Sequence, residues 1–131
     1  MRKNYSILLL LLIIISYPVV SKTVVSCEAV ALWGDHDSLD YNLQQKIFPT
    51  IIIEEDSKNI TYVYSQHDRK WEKEYKITHQ NDNNLVGFGE FSATQIDMIH
   101  YEITSGKFNI FFSGGDYINF SNTMTTGRCF K

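Results

Sequence analysis

The stretch Gln95–Ser113, QIDMIHYEITSGKFNIFFS, constrains the fold more than any other part of the chain. Ile99, Tyr101 and Ile103 alternate in one arm, and Phe108, Ile110 and Phe112 alternate in the other. Alternation with period two is the mark of a strand buried on one face. Gly106 supplies the positive φ that a tight turn between the arms requires. A two-residue loop at Ser105 and Gly106 would set Ile103 opposite Phe108, Tyr101 opposite Ile110 and Ile99 opposite Phe112. Such facing pairs are each worth about 0.2–1 kcal/mol over alanine pairs. A four-residue loop would shift the facing pairs. The other face carries His100, Glu102, Asn109 and Phe111 and is mainly wet.

The same alternation recurs along the chain. In Thr23–Trp33 the parity of Val25, Cys27, Ala29, Ala31 and Trp33 is the core face. Thr50–Ile53 and Ile60–Tyr64 are further strands, joined by a turn at Asp56–Asn59 in which Asn59 is suited to a left-handed conformation. Trp71, Lys73, Tyr75 and Ile77 alternate with Glu72, Glu74, Lys76 and Thr78. Residues Gln80–Asn84 form a turn, and Leu85–Phe91 returns with Gly87 and Gly89 on one parity. Paired glycines mark curvature or the close approach of a bulky neighbour such as Trp71 or Tyr75. They could equally open a groove. Tyr117–Phe120 is a short strand, and Thr123–Phe130 closes the fold past a turn or bulge at Gly127. Ser38–Lys46 is ambiguous: Leu39, Leu43 and Ile47 recur at the spacing of a short helix, and a loop is the alternative. The predicted class is all-β, an antiparallel meander forming a small barrel or a strongly curled sheet, with that one short helix as an option.

The N-terminus predicts export. Arg2 and Lys3 precede the unbroken apolar run Ile7–Ile15, and Pro18 and Val19-x-Ser21 follow it. This is the outline of a signal peptide over residues 1–21, leaving 22–131 as a single β domain. A retained anchor is an alternative near the lower length limit for spanning. Lipidation at Cys27, after Val24-Val25-Ser26, is a weaker one. Periplasmic or secreted localisation is expected, with no membrane span after cleavage. The two cysteines, Cys27 and Cys129, lie near the two ends of the domain and are predicted to pair in an oxidising compartment. Neither has the spacing of a redox CxxC site.

Charge and motifs exclude more than they assign. The chain carries net charge −3, and removing Arg2 and Lys3 leaves ten basic against fifteen acidic residues. No basic patch stands out, so nucleic acid is not an expected partner. There is no HExxH and no GxSxG. Asp35-His36-Asp37 is the one cluster that suggests a divalent cation, and a solvated loop explains it better, because adjacent side chains do not face one way. Glu72, Glu74, Glu90 and Glu102 offer carboxylates without a distinguishing pattern. No catalytic residue, metal site or cofactor is predicted. Eight Tyr, eight Phe and two Trp are many for 131 residues. Most belong in a core. Phe111, Tyr117, Tyr62 and Tyr64 are the candidates for contact with a protein or glycan partner.

Ile99–Ile103, Thr104-Ser105-Gly106-Lys107-Phe108 and Gly127-Arg128-Cys129, with the early Cys27, resemble a group of small exported bacterial β-sheet proteins of unassigned function. Their pattern is T-x-G-K-F in a hairpin and a terminal G-x-C. The resemblance covers about a third of the chain and implies a fold and a compartment, with no catalytic residues. In layout the chain is also similar to small periplasmic lysozyme inhibitors, which are cysteine-tied β barrels, but no inhibitory loop matches. The expected function is that of a non-catalytic exported binding module contacting a protein or envelope component. A small-ligand carrier or hydrolase with a cavity near Gly87 and Gly89, and a structural envelope protein, are the alternatives.

Overall fold

The computed structural model describes residues 21–34, 41–92, 94–115 and 120–130. The segment read as a signal peptide lies outside them except for Ser21, as do Asp35-His36-Asp37 and Tyr117. The strands are β1 (Lys22–Gly34), β2 (Tyr41–Ile47), β3 (Thr50–Glu54), β4 (Asn59–Gln66), β5 (Arg69–Gln80), β6 (Asn84–Ser92), β7 (Gln95–Glu102), β8 (Lys107–Gly115) and β9 (Phe120–Phe130). Every pairing is antiparallel. From β3 to β9 each strand pairs with the next, and β1 pairs with both β3 and β9. The meander therefore closes into an eight-stranded barrel with β2 as an extra strand.

β2 and β3 lie along the same edge of β1 in one register as far as Trp33, with Ala29 opposite Ile47 and Ser26 opposite Thr50, and the register shifts between Trp33 and Gly34. Phe48-Pro49 interrupts them, because proline has no N–H to give the ladder. The Pro49 carbonyl still accepts from the Cys27 amide at 2.8 Å. The predicted helix or loop at 38–46 is thus corrected over its described part, Tyr41–Ile47, which is strand. Residues four apart share a face in a strand as well as in a helix. The residue that would have decided was Gln45, whose polarity hides the alternation.

The expected faces are the observed ones. Val25, Cys27, Ala29 and Ala31 of β1 point inward, as do Ile99 and Tyr101 of β7 and Phe108 and Ile110 of β8. The hairpin register differs from the two-residue expectation. Tyr101 faces Phe108, Ile99 faces Ile110 and Asp97 faces Phe112. The loop is the four residues between Glu102 and Lys107, closed by the Gly106 amide on the Glu102 carbonyl at 2.9 Å. Gly106 has φ 70°. Asn83 stabilises the longer loop. Its side chain donates to Glu102 Oε1 at 3.2 Å and accepts from the Thr104 amide at 3.2 Å. Ser105 Oγ donates to Glu102 Oε2. These bonds hold the Glu102 carboxyl below its ordinary pKa. Moving the register by two residues keeps both faces, so parity predicted the burial while the turn chemistry misled about the pairs.

Two other turn assignments change. Lys58, not Asn59, takes the positive φ in the β3–β4 turn. Gly127 is neither turn nor bulge but an unbroken ladder position, opposite Ala29 and Phe108. A Cβ there would lie 2.4 Å from the Glu28 carbonyl oxygen and 2.8 Å from Phe108 Cε1. The glycine lets the Phe108 ring lie against β9.

Cys27 and Cys129 are directly opposite in the β1–β9 ladder and form a disulfide, with Cα atoms 3.9 Å apart. Their amides point away from each other, to Pro49 O and Gly106 O, each at 2.8 Å. They are a non-hydrogen-bonded pair, the antiparallel arrangement in which facing side chains come closest. The bridge spans 102 residues and joins the first barrel strand to the last. Replacing both cysteines with serine should lower the unfolding free energy by about 2–5 kcal/mol. Urea titration of the oxidised and doubly substituted proteins measures this, and equal midpoints would show that the ladder alone closes the barrel.

Candidate functional site

One end of the barrel is open between β2 and β4. The β3–β4 ladder stops with Thr50 opposite Val63, and among the described residues β2 pairs only with β1. Tyr64, Ser65 and Gln66 therefore continue without a backbone partner on that side. A side-chain hydrogen bond from Gln66 Nε2 to Gln45 Oε1, 2.9 Å long, spans the gap. Behind it lies a cavity of about 280 Å³.

Strand parity builds its walls. Ser121, Thr123 and Thr125 are successive inward positions of β9 and line one wall with three hydroxyls. Tyr62, Tyr64 and Gln66 are the corresponding positions of β4. Trp33 and Phe112 add aromatic surface, and Ala31, Ile47 and Ile110 make an apolar floor. β5 contributes Lys73 and Tyr75.

Lys73 Nζ forms an ion pair with Asp97 Oδ2 at 2.9 Å, and the same ammonium lies 4.7 Å from the centre of the Phe112 ring. The carboxylate side chain is 8 % exposed and the lysine side chain 35 %. Burying Asp97 is tolerable only because Lys73 compensates its charge. The other carboxylate oxygen, Asp97 Oδ1, has no hydrogen-bond partner among the described residues, nor do the buried hydroxyls of Tyr62 and Tyr75. Burial pushes the Tyr62 hydroxyl pKa well above its ordinary value, and the neighbouring Tyr64 adds to this. Burial likewise raises Tyr75 and Tyr64, and the Asp97 carboxylate raises both further. Asp97 is close enough to Tyr75 for that influence without completing a satisfactory hydrogen bond. Three polar groups buried without partners at one end of a barrel form a concentrated demand for hydrogen bonds.

The residues expected to contact a partner separate. Tyr62 is not a surface residue: it is 3 % exposed and faces inward, where it lines the cavity. Tyr64 is half-buried and lines it too. Phe111 is half-buried on the outer face, opposite Met98 and Met124 in the flanking strands. Tyr117 lies outside the described residues. Glu72 and Glu74 are exposed on the outside of β5, Glu72 beside Lys70 at 2.6 Å. His100 bonds Asn84 Oδ1 at 2.9 Å, while His67 and His79 are exposed. Among the described residues no three His, Cys, Asp or Glu side chains gather as a metal-binding group. No described helix is long and apolar enough to cross a membrane.

The groove expected at Gly87 and Gly89 is filled. A Cβ on Gly89 would lie 3.4 Å from the Tyr75 ring, and one on Gly87 would lie 3.0 Å from Tyr75 Cβ and 3.2 Å from Ile99 Cγ2. Tyr75 occupies the space that the glycines leave, and it also lines the cavity at the mouth. The cavity is therefore displaced from the glycines to the gap beside β2. The residues that sequence reasoning did not single out are Asp97, Gln45 and the β9 hydroxyls. Each is a polar side chain on an inward parity, and that was the available signal.

No family model matches the chain, and no curated protein matches it in sequence.

Two outcomes follow from the ion pair and the tyrosines. Lys73→Met leaves Asp97 buried without its cation and should cost about 2–4 kcal/mol, less than for a fully buried pair because Lys73 is partly wet. Adding Asp97→Asn should recover part of that loss; chemical denaturation of both variants measures it, and an additive double variant would show no coupling. Unfolded tyrosines ionise near pH 10. Folded Tyr62 and Tyr75 stay neutral beyond that, so above about pH 10 the unfolded chain holds fewer protons and stability falls as pH rises. An alkaline titration of phenolate absorbance should show late components that appear together with unfolding. Tyr75→Phe should remove one of them, and its persistence would contradict the assignment.

Proposed function

We propose that this protein is a non-catalytic exported binding module and that it binds a small molecule in the open barrel mouth. The supporting observation is the cavity of about 280 Å³, lined by aromatic and hydroxyl side chains, at the end of the barrel where buried polar groups lack partners among the described residues. An eight-stranded barrel is just wide enough for its side chains to fill or to hold one small ligand. A mainly apolar enclosure with a few convergent polar groups is the general form of such sites. Export rests on the N-terminal pattern, and an oxidising destination agrees with the disulfide.

Contact with an envelope protein was the first expectation from the sequence. Two of its four supporting residues, Tyr62 and Tyr64, instead line the cavity. Among the described residues the exposed large aromatics are Phe48, at 70 %, Phe130, at 56 %, and Trp71, at 48 %. These are the residues through which a protein partner would act.

Ligand screening by NMR tests the proposal, using a library of small sugars, amino acids, short acids and aromatic compounds. Hits should shift the Trp33 indole and the amides of Tyr64, Gln66 and Thr123, and should be lost in Tyr64→Ala under conditions where that variant remains folded. The proposal fails if no compound shifts the mouth. It also fails if the protein captures an envelope protein in a manner abolished by Phe48→Ser and Phe130→Ser while the mouth stays unliganded.

A further inference from the structure

We infer that the barrel mouth is built for a neutral polyhydroxylated ring, a monosaccharide or the terminal residue of a glycan. The inference rests on the mouth being a binding site and names the chemistry of its ligand.

Size sets the first limit. A volume of about 280 Å³ has room for several waters. That suits one ring with its substituents. A long acyl chain would need a longer apolar tunnel than Ala31, Ile47 and Ile110 provide.

Charge sets the second. Among the described residues the one cation lining the cavity, Lys73, already holds Asp97 at 2.9 Å. An anionic ligand would compete with Asp97 for Lys73 and leave a carboxylate buried without its partner. A cationic ligand would compete with Lys73 for Asp97. Either exchange carries the penalty of an uncompensated charge, whereas a neutral ligand leaves the pair intact.

Hydrogen-bonding capacity sets the third. Asp97 is not among the lining residues, and Asp97 Oδ1 and the Tyr62 and Tyr75 hydroxyls, without partners among the described residues, are buried rather than open to the cavity. Across the cavity, Ser121, Thr123 and Thr125 repeat a hydroxyl at every second residue of β9, a spacing of roughly 6.6 Å. Each hydroxyl can both donate and accept. A ligand that meets such a set must itself carry several groups that do both, as sugar hydroxyls do. Trp33, Tyr64 and Phe112 provide ring surfaces. A sugar ring has C–H faces that pack on aromatic rings while its rim forms hydrogen bonds. Neutral aromatic compounds would leave the hydroxyl wall unpaired, at a cost that is largest for the buried Thr125 and small for the exposed Ser121.

The test compares matched ligands by NMR titration of the oxidised protein. The panel is glucose, galactose and N-acetylglucosamine, with glucuronic acid and glucosamine as charged counterparts and maltose and chitobiose as glycan ends. At least one neutral sugar should bind at about millimolar affinity or better. It should shift Trp33, Tyr64 and Thr123, and its charged counterpart should bind at least about tenfold more weakly. Thr123→Val, which keeps shape and removes a hydroxyl, should weaken that sugar about three- to tenfold at an unchanged urea midpoint. Tighter binding of a disaccharide would assign a glycan end, and tighter binding of the monosaccharide a free sugar. Equal binding of charged and neutral sugars would overturn the inference. So would occupation of the mouth only by non-sugar compounds, which would leave the small-molecule reading standing. A mouth that no probe shifts would remove both.

Discussion

Everything in this fold depends on β1 having both edges occupied. Over Ser26–Gly34 one edge is paired with β9, and along the other edge β3 and then β2 follow in a single register as far as Trp33. A meander of short strands has two free edges that invite association, and only closure removes them. Here closure joins strands almost a full chain length apart, so it carries a large loop-closure entropy. The disulfide lies in that seam, between directly opposed residues. It also lies where the opposite edge of β1 is weakened by Pro49, which takes only the Cys27 amide. The covalent link and the proline break meet at the same residue.

That break shapes the site. Because Phe48-Pro49 separates β2 from β3, β4 can follow β3 and leave β2 unaccompanied. At the closed end the interior is filled by fitting large against small: Phe108 lies over Gly127, and Tyr101 and Leu85 complete the packing. At the open end the same strands change composition. β9 changes from glycine and cysteine to Thr125, Thr123 and Ser121, while β5 changes from Ile77 and Tyr75 to Lys73. The two ends differ in both chain path and side-chain chemistry.

Much of this was legible in the sequence, because parity is set by covalent geometry. Period two located the inward faces of β1, β5, β7 and β8, and the end-to-end cysteines indicated the seam. Register was less legible. The hairpin loop has four residues because Asn83, distant in sequence, bonds Glu102 and Thr104. No local turn preference contains that information. β2 was obscured for a related reason: Gln45 occupies an inward position and finds its partner in Gln66, twenty-one residues away. The site was missed by treating polar residues as solvent-facing by default. Lys73 shares its parity with Tyr75 and Ile77, and Asp97 shares its parity with Ile99 and Tyr101, so both faced inward from the start.

The polar mouth is difficult to explain as a device for stability. A barrel of eight strands can be filled with apolar side chains alone. A buried ion pair is often no better than a well-packed hydrophobic replacement, and each partnerless buried polar group costs about 1–3 kcal/mol. Tyr62, Tyr75 and Asp97 bear such costs within one end of one small domain. Phenylalanine in place of either tyrosine would keep the volume and remove the penalty. The aromatic rings alone would suffice for packing, as Phe108 shows at the other end. What the hydroxyls and the carboxylate add is hydrogen-bonding capacity unmet among the described residues, at the end of the barrel that also carries three more hydroxyls and an opening to solvent. Its cost is explained if that end serves binding rather than stability.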